Sequence, residues 1–488
     1  MTYRSNFMMP RWLRLFPLTS ALAAALLGGC SMIPAYQRPE APVSPAFPGD
    51  NASTTGVAAA DLQWQSFFSD ARLKQLIDLA LVNNRDLRVS VLNIEQARAQ
   101  FQIRRADQYP TVGAALTGSR TPAAGGGITS VYTAGLTISA WEIDFFGRIA
   151  SLKEAALSQF LATQENRKAA QVSLISSVAT AYLNLLADED LLDLTRQTLA
   201  TREESIKLTK LRFDNGVASG LDYQQAQSLV EGARVTLAQL QRQRALDGNA
   251  LVLLVGQGLP EGALPPAVSN VSLTANARFA DVPAGLPSDL LTRRPDIRAA
   301  EQQLIAANAN IGAARAAFFP RISLTAGVGT ASKQLSGLFK SGSFGWTLAP
   351  QLVLPIFDAG RNSAGLASAN VGRDIAIAQY EKSIQNAFRE VADALAGRAT
   401  LTEQLRAQQA QAFAEGERFK LSDMRYRNGV ASYLDLLDAQ RSLFMARQAV
   451  VQTRLLQLQN QVALYRTLGG GWTEMPVATA SQTARPSP

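Results

Sequence analysis

Histidine is absent from this 488-residue sequence, and cysteine occurs once, at Cys30. Histidine is the commonest general base and the commonest metal ligand in proteins, so its absence removes the usual basis of both functions. A single cysteine forms no disulfide within the chain and cannot build a Cys/His metal site. The sequence also contains no G-x-S-x-G, P-loop or dinucleotide-binding motif. We therefore predict neither an enzyme nor a metal or cofactor site.

Proline is missing from three long stretches, residues 61–109, 149–259 and 356–475. They are rich in alanine, leucine, glutamine, glutamate, arginine and lysine, most of which form helices readily. Because proline breaks helix interiors, its absence favours unusually long helices. One of them, from about residue 151 to 213, would be roughly 95 Å long. Their composition is typical of coiled-coil-like packing on two sides.

No apolar run near the N-terminus is long enough to span a membrane. The run from Leu15 to Leu27 follows three arginines and is too short for a spanning helix of about 20 residues, so it is a signal peptide core. The segment Leu27–Cys30 resembles a bacterial lipobox, in which Cys30 is lipidated and becomes the mature N-terminus. The alternative is a chance cysteine near a cleavage site. By resemblance to lipoprotein sorting rules, Ser31 favours the outer membrane.

Neither sign of charge dominates any face, since the formal net charge is +8 and basic and acidic residues are interspersed. Such a pattern is typical of a solvated surface, and we expect no nucleic-acid partner.

The chain contains an internal duplication with a period of about 210 residues, too long for a solenoid repeat of roughly 20–50. Asn215–Ser219 recurs as Asn428–Ser432, and Ala233-Arg234 recurs as Ala446-Arg447. We divide the chain into a signal peptide (1–29), a proline-rich tether (30–60), repeat 1 (61–256), a linker (257–285), repeat 2 (286–472) and a tail (473–488). The tail is expected to be disordered.

Each repeat has two neighbouring segments of alternating polarity, which predict a β-hairpin between helices. The hairpin lies at about 111–143 in repeat 1 and at about 321–355 in repeat 2. In the first, Leu136, Ile138 and Ala140 alternate with Thr137, Ser139 and Trp141. In the second, Leu324 and Leu352 lie on the apolar face and Thr325 on the other. The strand length of roughly 10 residues fits either a small soluble sheet or a membrane strand of about 9–11 residues.

Four strands cannot close a membrane barrel, because an open edge leaves backbone groups unsatisfied in lipid. A dimer would supply about 8 strands and a trimer about 12, so strand number alone does not decide. A barrel of about 8 strands is filled by side chains, and long helices around it would line no lumen. The trimer is therefore favoured.

Several specific strings resemble the outer membrane factor family, the TolC/OprM group, and closely resemble OprM-like lipoproteins of RND multidrug efflux pumps. These strings are the lipobox, Tyr36–Pro42, Asn84–Val89, Trp141–Arg148, Pro283–Leu291, Arg293–Ile297, Gly312–Pro320 and Leu436–Leu443. The resemblance implies a mixed α and β fold: a homotrimer with a shared 12-stranded outer membrane barrel and a helical barrel in the periplasm. It also implies a periplasmic membrane-fusion adaptor and an inner-membrane RND transporter as partners, in a Gram-negative bacterium. Residues 257–285 would lie at the equator.

The same resemblance places a gate at the two repeated turns, Asn215-Gly216-Val217 and Asn428-Gly429-Val430. Leu434, Asp438 and Arg441 share one helix face by their spacing, and Asp435 is adjacent. In OprM-like proteins the residues matching Leu434 and Asp438 close the pore; Arg441 and Tyr426 are weaker candidates for polar links that hold the tip. From spacing alone, Asp438 is an ordinary solvated charge or an i,i+3 partner of Arg441.

The equivalent positions in repeat 1 are Gln225 and Ser228, so a trimer would carry three Asp438 carboxylates. Three converging carboxylates repel one another and are able to hold a cation.

Three other functions compete with a passive efflux duct. A lipid-anchored coiled-coil scaffold or adhesin would need the alternating segments to form a soluble sheet. An enzyme is disfavoured by the missing histidine and motifs. Type I protein secretion uses the same fold. The lipobox and the OprM-like strings favour drug efflux.

Overall fold

The computed structural model describes residues 31–48, 58–122, 125–262, 279–280, 282–283 and 287–472. The predicted signal peptide, Cys30, most of the predicted linker and the predicted tail therefore lie outside the described residues.

Helices dominate the described chain, and each repeat follows the order helix, two strands, long helix, second long helix. The helices are α1 Trp64–Phe67, α2 Ala71–Asn83, α3 Arg85–Ala106, α4 Arg148–Asp214, α5 Gly220–Val255, α6 Pro287–Arg293, α7 Pro295–Ala316, α8 Arg361–Arg427 and α9 Tyr433–Thr467. The strands are β1 Val112–Pro122, β2 Ile128–Ile143, β3 Arg321–Ser332 and β4 Phe344–Val353. Short 3-10 turns occur at Ala59–Asp61 and Leu335–Gly337. Helices α4 and α8 have 67 residues each, as the proline-free stretches lead one to expect.

Two compact units divide the chain. The sheet unit comprises Met1–Glu40, Ile94–Thr163 and Ala300–Tyr380, and the helical unit comprises Ala41–Asn93, Gln164–Ala299 and Glu381–Pro488. The first boundary lies between Glu40 and Ala41, and the other four fall inside α3, α4, α7 and α8. Each unit is therefore assembled from both sequence repeats.

In the sheet unit, the four strands form one antiparallel sheet in the order β1-β2-β3-β4. Leu136 pairs with Ala114 on one side and Val328 on the other, and Val328 pairs with Trp346. Paired residues point to the same face, so an apolar row crosses all four strands. Leu136, Trp346, Leu348 and Leu352 are all exposed, which is unusual for apolar side chains of a soluble sheet.

The predicted alternation of β2 is wrong beyond Ile138, because the strand contains a β-bulge. The pairing with β3 shifts between Ile138 and Trp141, and Ala140 adopts a positive φ of 46°. Trp141 consequently pairs with Leu324 and lies on the apolar face, opposite to the prediction. Ser139, predicted to lie on the face opposite Leu136 and Ile138, falls in the bulge and has no partner in the β2–β3 register.

The start of the described chain is anchored to α7 within the sheet unit. Arg38 binds Glu301 through two nitrogen–oxygen contacts of 2.7 and 2.9 Å, and the Tyr36 hydroxyl donates to the same carboxylate at 3.0 Å. A Cβ at Gly312 would lie 2.7 Å from the Cγ1 of Ile33, so only glycine leaves room for this segment. Residues 33–38 of the tether are thus bound closely to the protein.

In the helical unit, α2 packs into an apolar core through Leu73, Leu76, Ile77 and Ala80. Asp70 caps the start of α2 and also accepts a hydrogen bond from Tyr182 on α4 at 2.9 Å. Within the described residues, α4 alone has an 18-residue window apolar enough to cross a membrane, but 56% of that window is buried in the chain. Helix α4 is therefore a core helix.

Candidate gate at the helix turns

The two repeated turns connect α4 to α5 and α8 to α9 in the helical unit, and their backbones are built alike. The Asn215 side chain donates to the Leu211 carbonyl at 2.7 Å, and the Asn428 side chain donates to the Met424 carbonyl at 2.8 Å. Gly216 and Gly429 adopt φ values of 72° and 73°. This left-handed conformation ends a helix and favours glycine, which explains why Asn-Gly recurs at both places.

A capping box starts the helix after each turn. Ser219 accepts from the Asp222 backbone N–H, and the Asp222 side chain accepts from the Ser219 backbone N–H. Ser432 and Asp435 make the same reciprocal pair at the start of α9. Asp435, one of the predicted gate residues, therefore fixes the helix start, as its repeat 1 equivalent does.

Apolar side chains project from both turns into solvent. Val217 is 75% exposed and Val430 is 68% exposed, although both belong to short turns held by backbone hydrogen bonds. Leu434, the predicted plug residue, is 59% exposed, and so is its repeat 1 equivalent Leu221, at 67%. Such an apolar tip on a single chain is suited to contact with other chains.

Asp438 forms an ion pair with Arg418, which lies on the neighbouring helix α8. The pair with Arg441 that its spacing suggests is not among the ion pairs of the described residues. Arg418 also contacts Glu415 at 3.1 Å, and both side chains of the Arg418–Asp438 pair are well exposed. Hydrogen bonding to Asp438 raises the pKa of the Arg418 guanidinium, which stays charged. The pair links α8 to α9 close to the turn.

Tyr426 lies inside the tip and not on its surface. It is 7% exposed and belongs to an apolar cluster with Leu436 and Leu437. The guanidinium of Arg212, at the end of α4, covers its ring at 4.6 Å and donates to its carbonyl at 3.4 Å. Tyr426 and Arg212 therefore connect the two turns of one chain.

Arg441 is exposed on α9 and makes no ion pair among the described residues. Burial lowers the pKa of the Arg202 guanidinium, and the positive charge of nearby Arg441 lowers it further.

Sequence reasoning missed Arg418 and Arg212. Arg418 is 20 positions from Asp438 on another helix, so spacing along one helix cannot reveal the pair. The capping role of Asp435 was visible as Ser-x-x-Asp in both turns. No group of three or more acidic, histidine or cysteine side chains is placed to hold a metal ion in the part of the chain that the structure describes.

The profile of the outer membrane efflux protein family matches residues 76–257 and 286–470, one segment for each repeat. The chain belongs to this family. The family assignment agrees with the resemblance noted from the sequence, and the duplication seen there is the duplication of the family's domain.

Relatives and a solved structure extend the match to nearly the whole chain. The antibiotic efflux pump outer membrane protein ArpC of Pseudomonas putida is 49% identical over 482 residues, which are 96% of this chain and 99% of that protein. The toluene efflux pump outer membrane protein TtgC of the same species gives the same values. The crystal structure of the open state of the Neisseria gonorrhoeae MtrE outer membrane channel has a TM-score of 0.83 at 42% identity, covering 91% of this chain and 99% of that one.

These matches confirm the predicted fold and location. The chain has a TolC-like mixed α and β fold, with four strands among the described residues, and it is an efflux channel protein of the Gram-negative outer membrane. Its family consists of efflux channel proteins and not of enzymes.

Proposed function

We propose that three copies of this chain form the passive exit duct of a tripartite RND-type multidrug efflux pump. The observation that carries the proposal is the open four-stranded sheet. In the described chain, β1 pairs only with β2 and β4 only with β3, so both edges keep unpaired backbone groups. An open edge is not tolerated in lipid. Three copies close a barrel of about 12 strands, within the range of outer membrane proteins.

The duct works with two partners, a periplasmic membrane-fusion adaptor and an inner-membrane RND transporter. No nucleotide-binding motif exists in the sequence, so the energy for transport comes from the inner-membrane partner. The chain itself acts as neither an enzyme nor a cofactor-dependent protein. ArpC and TtgC are equally similar to this chain, yet one name refers to antibiotics and the other to toluene. Substrate choice therefore belongs to the pump and not to the duct.

The duct is closed at the turns of the helical unit until the adaptor binds. Leu434 projects from the second turn as the plug, and Asp438 lies one helical turn further along α9. A partner opens the tip by binding the open state more tightly than the closed one.

Single-channel conductance of the purified trimer in a planar bilayer tests this gate. Leu434→Ala removes plug volume without removing a charge, so conductance rises. The double variant Leu434→Ala/Asp438→Ala also removes the link to Arg418, and conductance rises further. Leu221→Ala is the matched control for an exposed leucine after the other turn. Unchanged conductance in the double variant would show that Leu434 and Asp438 do not line the constriction. The duct itself is tested separately, by trimer formation.

Cys30 carries the lipid anchor in this proposal, although it lies outside the described residues. Cys30→Ala therefore incorporates no labelled palmitate and keeps its signal peptide uncut by the lipoprotein peptidase. Efflux survives in part, because a barrel anchors the protein and one lipid adds only modest membrane affinity. Equal palmitate incorporation in wild type and variant would show that Cys30 is not the lipid site.

A further inference from the structure

One arginine that both repeats share has carboxylate partners in repeat 1 only. Arg234 on α5 is held by two acids, Glu203 at 3.0 Å and Glu231 at 2.8 Å. Its equivalent in repeat 2 is Arg447 on α9, since Ala233-Arg234 corresponds to Ala446-Arg447. Arg447 makes no ion pair with a carboxylate in the described part of the chain. Both repeats thus have the arginine, but only repeat 1 has carboxylates that pair with it.

The two acids are replaced in repeat 2 by residues that leave space and apolar surface. Gly416 stands at the position equivalent to Glu203, and Phe444 at the position equivalent to Glu231. A Cβ built at Gly416 would meet only the Cδ1 of Leu443, at 3.9 Å, so the space beside this helix is open.

A cavity of about 400 Å³ occupies this space between α4, α8 and α9, all in the helical unit. Arg202, Lys420 and Arg447 line it, together with three aromatic rings, Phe413, Phe419 and Phe444. The only acid that lines it, Glu417, pairs with Lys420 at 2.6 Å. Cations in excess of anions, beside aromatic surface, make the cavity complementary to an anion with an apolar part.

Arg202 adds a buried charge with no carboxylate partner. Its residue is 6% exposed; its Nη1 donates to the Leu229 carbonyl at 3.1 Å, and its guanidinium lies 5.2 Å from the centre of the Phe444 ring. The Nε of Arg202 is buried without a hydrogen-bond partner among the described residues. Burial, and then the charge of Arg441, lower the pKa of this guanidinium. A buried arginine without an anion is costly, and a bound anion would offset that cost.

We propose that the cavity binds an organic carboxylate, which takes the place of the two acids missing from repeat 2. Its charge lies between Arg447 and Arg202, and its apolar part contacts the phenylalanine rings. The carboxylate belongs either to a free small molecule or to an aspartate or glutamate side chain of a protein partner. The proposed function assigns no ligand to this cavity, so the site goes beyond the proposed function.

Binding of 4-fluorophenylacetate to the purified full-length protein tests the site, measured by fluorine NMR in a non-ionic detergent. The neutral amide, 4-fluorophenylacetamide, has the same ring and lacks the charge. We expect the carboxylate to bind at least about tenfold more tightly than the amide. Arg447→Gln abolishes this preference, and Arg234→Gln, the matched control in repeat 1, leaves it unchanged.

Gly416→Glu is the sharper variant, because it restores the acid that repeat 1 has and lets the chain fill its own site. Gly416 lines the cavity and has room for a side chain, so the fold is retained, as trimer migration on a gel verifies. We expect Gly416→Glu to lose carboxylate binding as completely as Arg447→Gln. A second binding experiment uses a helical peptide with one glutamate as the probe. The same peptide with glutamine in its place is the neutral control.

The two arms distinguish the sources of the carboxylate. Binding of fluorophenylacetate, lost in both repeat 2 variants, supports a free small molecule. Binding of the acidic peptide alone, with the same losses, supports a partner's side chain. Failure of both probes to bind, equal binding of acid and amide, or unchanged binding in Arg447→Gln and Gly416→Glu would overturn the proposal.

Discussion

The Arg418–Asp438 ion pair exists in only one of the two repeats. The positions equivalent to its members are Ser205 and Gln225, so charge is lost from both at once. A pair whose members change together is best interpreted as one interaction that joins α8 to α9. Because both side chains are well exposed, its contribution is small, about 0.2–1 kcal/mol, and falls with added salt.

Replacement of either member by its repeat 1 equivalent therefore loosens the tip. We expect Arg418→Ser and Asp438→Gln each to raise single-channel conductance modestly at low salt. The double variant adds little to the larger single effect, because the singles remove the same contact. Arg406→Ser is the control, since Arg406 pairs with Glu403 within α8 and joins no second helix. Additive effects, or an equal rise in the control, would mean that the pair does not hold the tip.

Asp188 is a second acid whose environment is unusual. It is buried on α4, and burial, followed by its contact with Asp247 on α5, raises its pKa to about 7. Glu189 beside it also raises the pKa, and Arg244, which pairs with Glu189, lowers it. In the unfolded chain Asp188 titrates at its ordinary pKa of 3.8. The folded chain therefore binds an extra proton between these values, and its stability falls as pH rises toward 7.

Asp188→Asn removes this pH dependence, because an amide has no proton to lose. We expect the variant to unfold at a higher temperature than wild type at pH 8 and at nearly the same temperature at pH 5. Circular dichroism of the purified protein during heating measures the difference. Asp193→Asn, an exposed acid on the same helix, should behave as wild type at both pH values. A stabilisation that is equal at pH 5 and pH 8 would contradict the raised pKa of Asp188.

Among the secondary-structure elements, the strands carry the membrane assignment. Leu136 lies in the apolar row of the sheet, and Thr137, the next residue, points to the opposite face, where it pairs with Gly113 and Gly327. If the apolar face contacts lipid, an arginine near the bilayer midplane costs about 2–4 kcal/mol there and little on the other face.

Leu136→Arg should therefore reduce the amount of assembled protein in the outer membrane much more than Thr137→Arg does. Extraction of outer membranes and quantification of heat-modifiable trimer give the measurement. Two arginines at adjacent positions of one strand form a matched pair, because strand, depth and charge are the same. Equal losses, or a larger loss for Thr137→Arg, would show that the apolar face of the sheet is not the face that contacts lipid.

The sequence predicted the elements well and their irregularities poorly. Missing prolines indicated α4 and α8, because one proline would break such a helix. Alternation indicated β2, yet a period of two has no signal for the bulge at Ala140, which depends on pairing with β3. The Asn-Gly and Ser-x-x-Asp patterns fixed both turns locally. Arg418 and Arg212 were missed because their partners come from other helices.

At the scale of the whole molecule, the single chain is an incomplete object. Its sheet has two edges, and its turns expose Val217, Val430 and Leu434. Strand number allowed a dimer or a trimer, and the length of the helices favoured the trimer. Oligomeric closure is a property of contacts between chains, which no pattern within one chain can show.

Cysteine cross-linking tests closure directly, because the native sequence has only Cys30. One new cysteine is fixed at Ala115 on β1, and the second is moved along β4 from Phe344 to Val353. If the β1 edge of one copy pairs with the β4 edge of the next, a short bifunctional thiol reagent yields covalent dimers and trimers in intact cells, strongest at alternate positions of β4 since side chains alternate between faces. A second cysteine moved instead along β2, which pairs with β1 in the same chain, serves as control and gives cross-links within one chain. Products that stop at the dimer would overturn the trimer, and the absence of any product between chains would show that the sheet edges do not meet.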